Sequence, residues 1–315
     1  MRPLKFAVVR EDPRVEGAVA QRFGARSALV CASGGCTAFA LRHRFPELAV
    51  ELYDFNPRQL EHVEQRAAAI ARGELARLNV GDADPAGLSQ CGDFERLFRV
   101  LRSAALEFVA PAAAFERYFA PATPLPEAHA LARGWIASTY WQSLFALAFT
   151  DDLLVAMFGP DAVQHAERGS YPAYFRRAFE RGLLGADGPR NPFLQHVWLS
   201  RYLAGDAPEF LGSGRRFAFP ATEGGVPDVP RLERFSLVHL SNIFDWASQS
   251  LAREWALAMR ALKPGAVFTL RQLNNARDWR PLFAPHFAFD DALGVALIEG
   301  ERSLFYERLL VGVRT

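Results

Sequence analysis

A chain of 315 residues, half of them apolar and 23% charged, has the length for one large domain and an ordinary globular composition. Its formal charge is +1 and arginine supplies nearly all the cations, Lys5 and Lys263 being the only lysines, so no bulk field draws it to nucleic acid or to an anionic membrane. Three cysteines (Cys31, Cys36, Cys91) lack CxxC spacing, which excludes the common zinc and redox patterns and fits reduced thiols in a cytoplasmic protein.

In chain order, residues 1–24 run into Arg10-Glu11-Asp12-Pro13 without an apolar leader, and three charges followed by proline predict a solvated arm. Residues 28–33 are a short apolar run stopped by Gly34-Gly35, the pattern of a buried parallel strand entering a tight turn. Cys36 to Arg44 follow as a helix, and residues 49–54 form a second strand. Asn56-Pro57 then opens a helix with proline in its favoured first turn, and Leu60, Val63, Ala67 and Ile70 share one face. From 73 to 212 the pattern is helical, with candidate helices at 93–109, 127–149, 171–183 and 193–204 and no convincing buried strand. The apolar stretch from Trp135 to the Asp151-Asp152 pair falls short of the ~20 residues a membrane span needs.

Strand patterning resumes at Arg215–Phe219 and Phe235–Leu240. Leu251, Trp255, Met259 and Leu262 mark one face of the next helix, and Lys263-Pro264-Gly265 turns into a strand at Ala266–Leu270. The tail offers two more strands, 292–299 and 304–313. The reading is an α/β fold, a Rossmann-like doubly wound sheet of the class I methyltransferase type with an antiparallel last strand. Residues 25–72 and 213–315 build the core, and a large helical insertion over 73–212 interrupts it.

In such sheets ligands bind beyond the carboxyl ends of the strands, where strand order reverses. Ser33-Gly34-Gly35 is the first candidate, because absent side chains let a ligand approach backbone N–H groups at a helix start. Asp54 ends the next strand twenty residues after Gly34, the separation expected of a carboxylate that holds ribose hydroxyls. The G-x-G-x-x-G fingerprint is absent, so S-adenosylmethionine is favoured over a dinucleotide. His239–Trp246 starts in an apolar strand and ends in polar groups. Ser241, Asn242 and Asp245 there are candidates to meet the methionine part of the cofactor or an acceptor, with helix capping as the alternative. Arg271 lies just past a strand, where it suits a carboxylate held bidentately. Without H-x-x-H or H-E-x-x-H spacing no metal is expected, and neither Ser-His-Asp nor Cys-His catalysis is legible.

Four blocks carry a family resemblance: Arg10-Glu11-Asp12-Pro13, Ala32-Ser33-Gly34-Gly35-Cys36-Thr37, Asp54-Phe55-Asn56-Pro57-Arg58-Gln59 and Leu240–Trp246. In this order they resemble blocks of the betaine-lipid enzymes, the BtaA-type S-adenosylmethionine:diacylglycerol 3-amino-3-carboxypropyl transferases, and Arg302–Tyr306 is similar to that family's last block. Two departures stand out. Arg10 occupies a place where many members carry an aromatic residue, and the insertion is shorter, which puts diacylglycerol itself in question.

The resemblance implies nucleophilic attack on the γ-carbon of the methionine chain, with release of methylthioadenosine. The cofactor set is then Arg10, Glu11, Ser33, Gly34, Gly35, Asp54, Phe55, Asn56, Gln59, Ser241, Asn242, Trp246 and Arg271. Within it Trp246 would face the sulfonium, and Arg271 or Arg10 would hold the carboxylate. Asp12, Asp245 and Tyr306 are the candidate bases. The acceptor would be a lipid hydroxyl such as diacylglycerol, reached by transient membrane contact. Three alternatives stand beside it: ring closure by the cofactor's own amino group to azetidine-2-carboxylate, ordinary methyl transfer, and cofactor binding without chemistry. The aromatics of the insertion (Trp135, Tyr140, Trp141, Phe145, Phe149, Phe158) read as core first and as an acceptor tunnel second.

Overall fold

Ala28, Leu29 and Val30 are wholly buried, and the strand they form, β1 (Ser27–Cys31), lies inside the sheet because neither of its faces can be given to water. A computed structural model describes residues 3–315. The other strands are β2 (Ala49–Asp54), β3 (Ala221–Glu223), β4 (Leu237–His239), β5 (Val267–Gln272), β6 (Phe287–Phe289) and β7 (Arg308–Arg314). Their order is β3-β2-β1-β4-β5-β7-β6. The first five pair in parallel, and β7 runs antiparallel to both β5 and β6. The sheet is therefore Rossmann-like, with its order reversing between β1 and β4.

Several local expectations hold for stated reasons. The helix Cys36–Arg44 starts at Gly35, whose φ of +80° suits glycine. The helix Pro57–Ala71 is capped by the Asn56 side chain, which accepts from the Arg58 N–H. The helix Gln249–Ala258 is capped by Ser248, so Ser241, Asn242 and Asp245 are not needed for that task.

Four expectations are corrected. Residues 215–219 are not a strand: Phe217 and Phe219 pack on Phe39, and the edge strand is the next segment, β3. Residues 292–299 are helical rather than extended (Asp291–Glu299), with the Asp290 side chain capping the Leu293 N–H. The expected helix 127–149 is two, Leu125–Ile136 and Thr139–Ala148, because Ser138 caps the second. Finally, the N-terminal arm is not solvated. It contains the helix Arg14–Arg22, and Arg10, Glu11 and Asp12 are 5%, 1% and 0% exposed.

The helices of residues 73–212 share an aromatic core of their own, to which Leu273 and Phe305 contribute. Two further apolar clusters form around the sheet strands. Within the insertion, Thr139–Phe158 does reach the length and composition of a membrane span, with a mean hydropathy of 1.2. It consists of two helices interrupted at Phe149-Thr150, where Thr150 caps the second. Where the insertion leaves and re-enters the core, Val80 and Tyr202 form a bridge. The Tyr202 N–H donates to the Asn79 carbonyl at 2.8 Å, and the Gly81 N–H donates to the Tyr202 carbonyl at 2.8 Å.

Candidate functional site

The reversal of strand order leaves a gap beyond the carboxyl ends of β1 and β4, and a cavity of about 350 Å³ fills it. Its floor is strand tips: Cys31 at the end of β1 and Ser33 after it, Tyr53 and Asp54 on β2, Ser241 and Asn242 after β4. The arm forms one wall with Lys5, Phe6, Val9, Arg10 and Glu11, and Phe305 and Tyr306 enter just before β7. The insertion contributes Phe94, Leu154, Phe158, Tyr171 and Phe175 to the lining. The volume falls near the lower end of the roughly 300–1,000 Å³ typical of small-molecule sites.

At the polar end, Asp54 is fixed by backbone donors. The Ser33 N–H gives to its Oδ2 at 3.0 Å and the Asn56 N–H to its Oδ1 at 2.9 Å. Burial pushes this carboxyl up to about 6, against the pull of the Asn56 and Ser33 N–H groups. Two serines on neighbouring strand tips, Ser33 (φ +42°) and Ser241 (φ +56°), hold left-handed backbone that non-glycine residues rarely adopt. Both line the cavity, and strain of this kind concentrates at functional sites.

Gly34 and Gly35 serve this geometry indirectly. Gly34 packs on the arm so closely that a Cβ would lie 2.5 Å from Val8 Cα and 2.6 Å from the Ala7 carbonyl oxygen. The glycine turn thus receives the protein's own N-terminal segment, and Ser33, not Gly34 or Gly35, faces the cavity. Gln59 is committed to the same clamp. Its Nε2 donates to the Phe6 and Ser33 carbonyls at 2.9 and 2.7 Å, and its Oε1 accepts from the Lys5 and Phe6 N–H groups. Asn56 Nδ2 donates to the Pro3 carbonyl at 2.8 Å.

A buried ionic network lies behind the other wall. His239 Nε2 and Glu11 Oε2 are 2.5 Å apart, and Ser241 Oγ donates to Glu11 Oε1. Arg271 reaches Glu16 at 2.5 Å, Glu301 at 3.0 Å and Glu11 at 3.3 Å. Burial pushes Glu11 up, but His239 and then Arg271 outweigh it and hold this carboxyl at about 2. Tyr306 lines the cavity, its hydroxyl 3.5 Å from Glu11, and burial pushes the phenol well above its ordinary value.

Three sequence assignments change on this geometry. Arg271 is wholly buried, enclosed by three glutamates, and does not line the cavity, so it is not placed to hold a ligand carboxylate. Asp12 is gripped by Arg302 (2.9 Å) and Arg14 (2.7 Å) outside the cavity. Those arginines outweigh its burial and keep it below the usual range, which unsuits it as a base. Asp245 stands behind the lining. It accepts from the Leu273 N–H (2.8 Å), Asn275 (3.0 Å) and Asn242 (3.3 Å), while burial pushes it up to about 7. Its position is that of a strut that sets Asn242.

Trp246 and Phe55 line the cavity as expected, Trp246 packing on Phe158 at 5.2 Å between ring centroids. Of the insertion aromatics singled out from sequence only Phe158 reaches the cavity. Trp135, Trp141, Phe145 and Phe149 are core, and Tyr140 is exposed. Sequence reasoning missed Lys5, Phe6, Phe94, Tyr171, Phe175 and Phe305. It also missed the glutamates behind Glu11, for which the only available signal was the Glu-x-x-x-x-Glu spacing of Glu11 and Glu16 near the start. No family of known proteins, no curated protein and no solved structure matches this chain.

Proposed function

We propose that the cavity binds S-adenosylmethionine and that the protein transfers its 3-amino-3-carboxypropyl group, breaking the Cγ–S bond. The observation that carries this reading is Asp54. Its carboxylate sits at the tip of β2, braced by Ser33 from the neighbouring tip, in the position from which an acid grips ribose hydroxyls. The antiparallel β7 inside an otherwise parallel sheet supports the class I methyltransferase type, and the four sequence blocks that resemble the betaine-lipid enzymes converge on this one cavity.

In the proposed reaction an acceptor lone pair forms a bond to Cγ. The C–S electron pair returns to sulfur, and neutral methylthioadenosine leaves. A hydroxyl acceptor becomes an oxonium, a strong acid that loses its proton to water or to any carboxylate in reach. Asp12 and Asp245 are therefore not required as bases. Selectivity for Cγ over the less hindered methyl carbon rests on placement within roughly 3–3.5 Å and in line. The aromatic end, with Trp246 and Tyr306, offers faces to the sulfonium.

The size of the cavity favours a second reading of the acceptor. About 350 Å³ suits one cofactor-sized ligand, whereas the two chains of diacylglycerol would have to stay outside. The cofactor's own α-amino group, bound as the ammonium and then giving one proton to water, would attack Cγ with the freed nitrogen lone pair. The C–S electron pair would return to sulfur, closing azetidine-2-carboxylate with the same leaving group. Incubation with S-adenosylmethionine followed by mass spectrometry tests both. Methylthioadenosine is expected, and its appearance with azetidine-2-carboxylate and no added acceptor selects ring closure. S-adenosylhomocysteine alone would mean methyl transfer, and intact cofactor after long incubation would mean a binding protein. Either result overturns the proposal.

A further inference from the structure

We infer that Arg10 and Glu11 together form a receptor for the zwitterionic α-amino-acid end of the ligand, Arg10 taking the carboxylate and Glu11 the ammonium. The inference rests on the S-adenosylmethionine reading and specifies what recognises the methionine half.

It follows from buried charge on the two sides of the arm. Arg10 and Arg66 are 5% and 0% exposed, and one carboxylate, Glu95, lies near them, 3.6 Å from Arg10 Nη2. Arg66 donates to the Gly34 carbonyl and the Cys36 thiol instead of to an acid. Arg10 Nη2 donates to His196 Nδ1 at 2.8 Å, and its guanidinium lies 4.5 Å over the Phe98 ring. Arg10 Nε has no partner, although the residue borders the cavity. This side has an uncompensated cation.

The other side has the opposite excess. Glu11, Glu16 and Glu301 are buried around one guanidinium, Arg271, and one imidazole, His239. Three carboxylates share these two partners, and Glu11 is the member that reaches the cavity. Isolated buried charges are costly, and groups that face a cavity can be neutralised by what enters it. Consecutive residues thus present a cation and an anion from separate networks to one space. A ligand that carries a carboxylate and an ammonium on one carbon neutralises both. A guanidinium suits the carboxylate, and the Glu11 carboxylate suits the ammonium. Held at both ends, that carbon fixes which way the methionine chain turns.

Calorimetry on the full chain with three ligands tests this: S-adenosylmethionine, its decarboxylated form, and 5′-dimethylthio-5′-deoxyadenosine, which keeps the sulfonium and lacks the chain. The intact cofactor should bind roughly ten- to a hundredfold tighter than the decarboxylated form, the worth of one charge-assisted contact. Arg10→Gln should erase that preference and leave the decarboxylated form unchanged. Glu11→Gln should weaken both amino-bearing ligands and leave the chainless one unchanged. The wild-type ligand series needs no variant to fold. Equal affinity for the intact and decarboxylated cofactors would refute the receptor while the adenosyl site stands. If none of the three binds, the cofactor reading itself falls, and the receptor with it.

Discussion

Replacing Gly34 with alanine would put a methyl group 2.5 Å from Val8 Cα, 2.6 Å from the Ala7 carbonyl oxygen and 2.8 Å from the Ala7 carbonyl carbon. All three are backbone atoms, and the segment that carries them cannot drift freely. The Ala7 N–H donates to Glu95 Oε2 at 2.8 Å, His62 Nε2 lies 3.0 Å from the Ala7 carbonyl, and Gln59 holds Lys5 and Phe6. Relief requires the arm to lift by several tenths of an ångström and lengthen those bonds. Overpacking of this kind costs about 1–3 kcal/mol, more where the backbone is pinned. For a chain of this size that lowers the melting temperature by roughly 1–5 °C. Because the same arm carries Arg10 and Glu11 into the cavity wall, affinity for S-adenosylmethionine should fall with it.

Gly134→Ala is the matched control. A Cβ there meets nothing within 4 Å, and the helix Leu125–Ile136 should gain about 0.5–1 kcal/mol. Scanning calorimetry with and without ligand reads both. If Gly34→Ala melts and binds like wild type while Gly134→Ala behaves as stated, the arm is not seated as described and the explanation of this turn fails.

Asp54 should make binding of 5′-dimethylthio-5′-deoxyadenosine depend on pH. Its carboxyl titrates near 6, so affinity should be flat above pH 7 and fall as the group protonates below 6, and Asp54→Asn should bind weakly at every pH; a wild-type affinity unchanged from pH 5 to 8 would remove Asp54 from the ribose. Asp245 should act on stability in the opposite sense to a salt-bridged acid. Its folded value of about 7 exceeds the unfolded 3.8, so the folded state loses stability as pH rises from about 4 to 7, by up to about 4 kcal/mol, and is level above. Asp245→Asn should flatten that slope in chemical denaturation series, and an identical slope would show that the carboxyl is not the source. Arg271→Met should destabilise by about 3–5 kcal/mol, because it strands Glu11, Glu16 and Glu301 without their shared cation; a loss under 1 kcal/mol in the same assay would mean that these acids are neutral in the fold.

The sheet was legible where apolar runs ended in turn residues. β1, β2 and β5 announce themselves by buried runs closed by Gly-Gly, Asn-Pro or a preceding Lys-Pro-Gly. β3 was not legible, since three residues with no pattern become a strand only by pairing with the edge of β2. Residues 292–299 show the helix–strand ambiguity of short apolar runs. What decides there is the Asp290 cap and the close seat of Gly294 on the Leu309 carbonyl, neither visible in periodicity. The arm was misread for a plainer reason. A charged tripeptide is solvated unless it has partners, and apart from Arg14 the charged partners of Arg10, Glu11 and Asp12 lie 85 to 290 residues away, at Glu95, His196, His239 and Arg302. The same distance hid Arg271's engagement with Glu11 and Glu16 and so made it look available to a ligand.

The bridge between Val80 and Tyr202 has a consequence for how such a chain can vary. Because the helical segment departs and returns at one point, its length is uncoupled from the spacing of the strands it interrupts. Residues can be gained or lost beyond that neck without moving β2 relative to β3, and loop closure penalises such changes only logarithmically. The half of the cavity built on strand tips and the half built on Phe94, Phe158 and Phe175 are therefore free to diverge at different rates. One scaffold can keep the strand-tip half of its cavity while the opposite wall is refashioned.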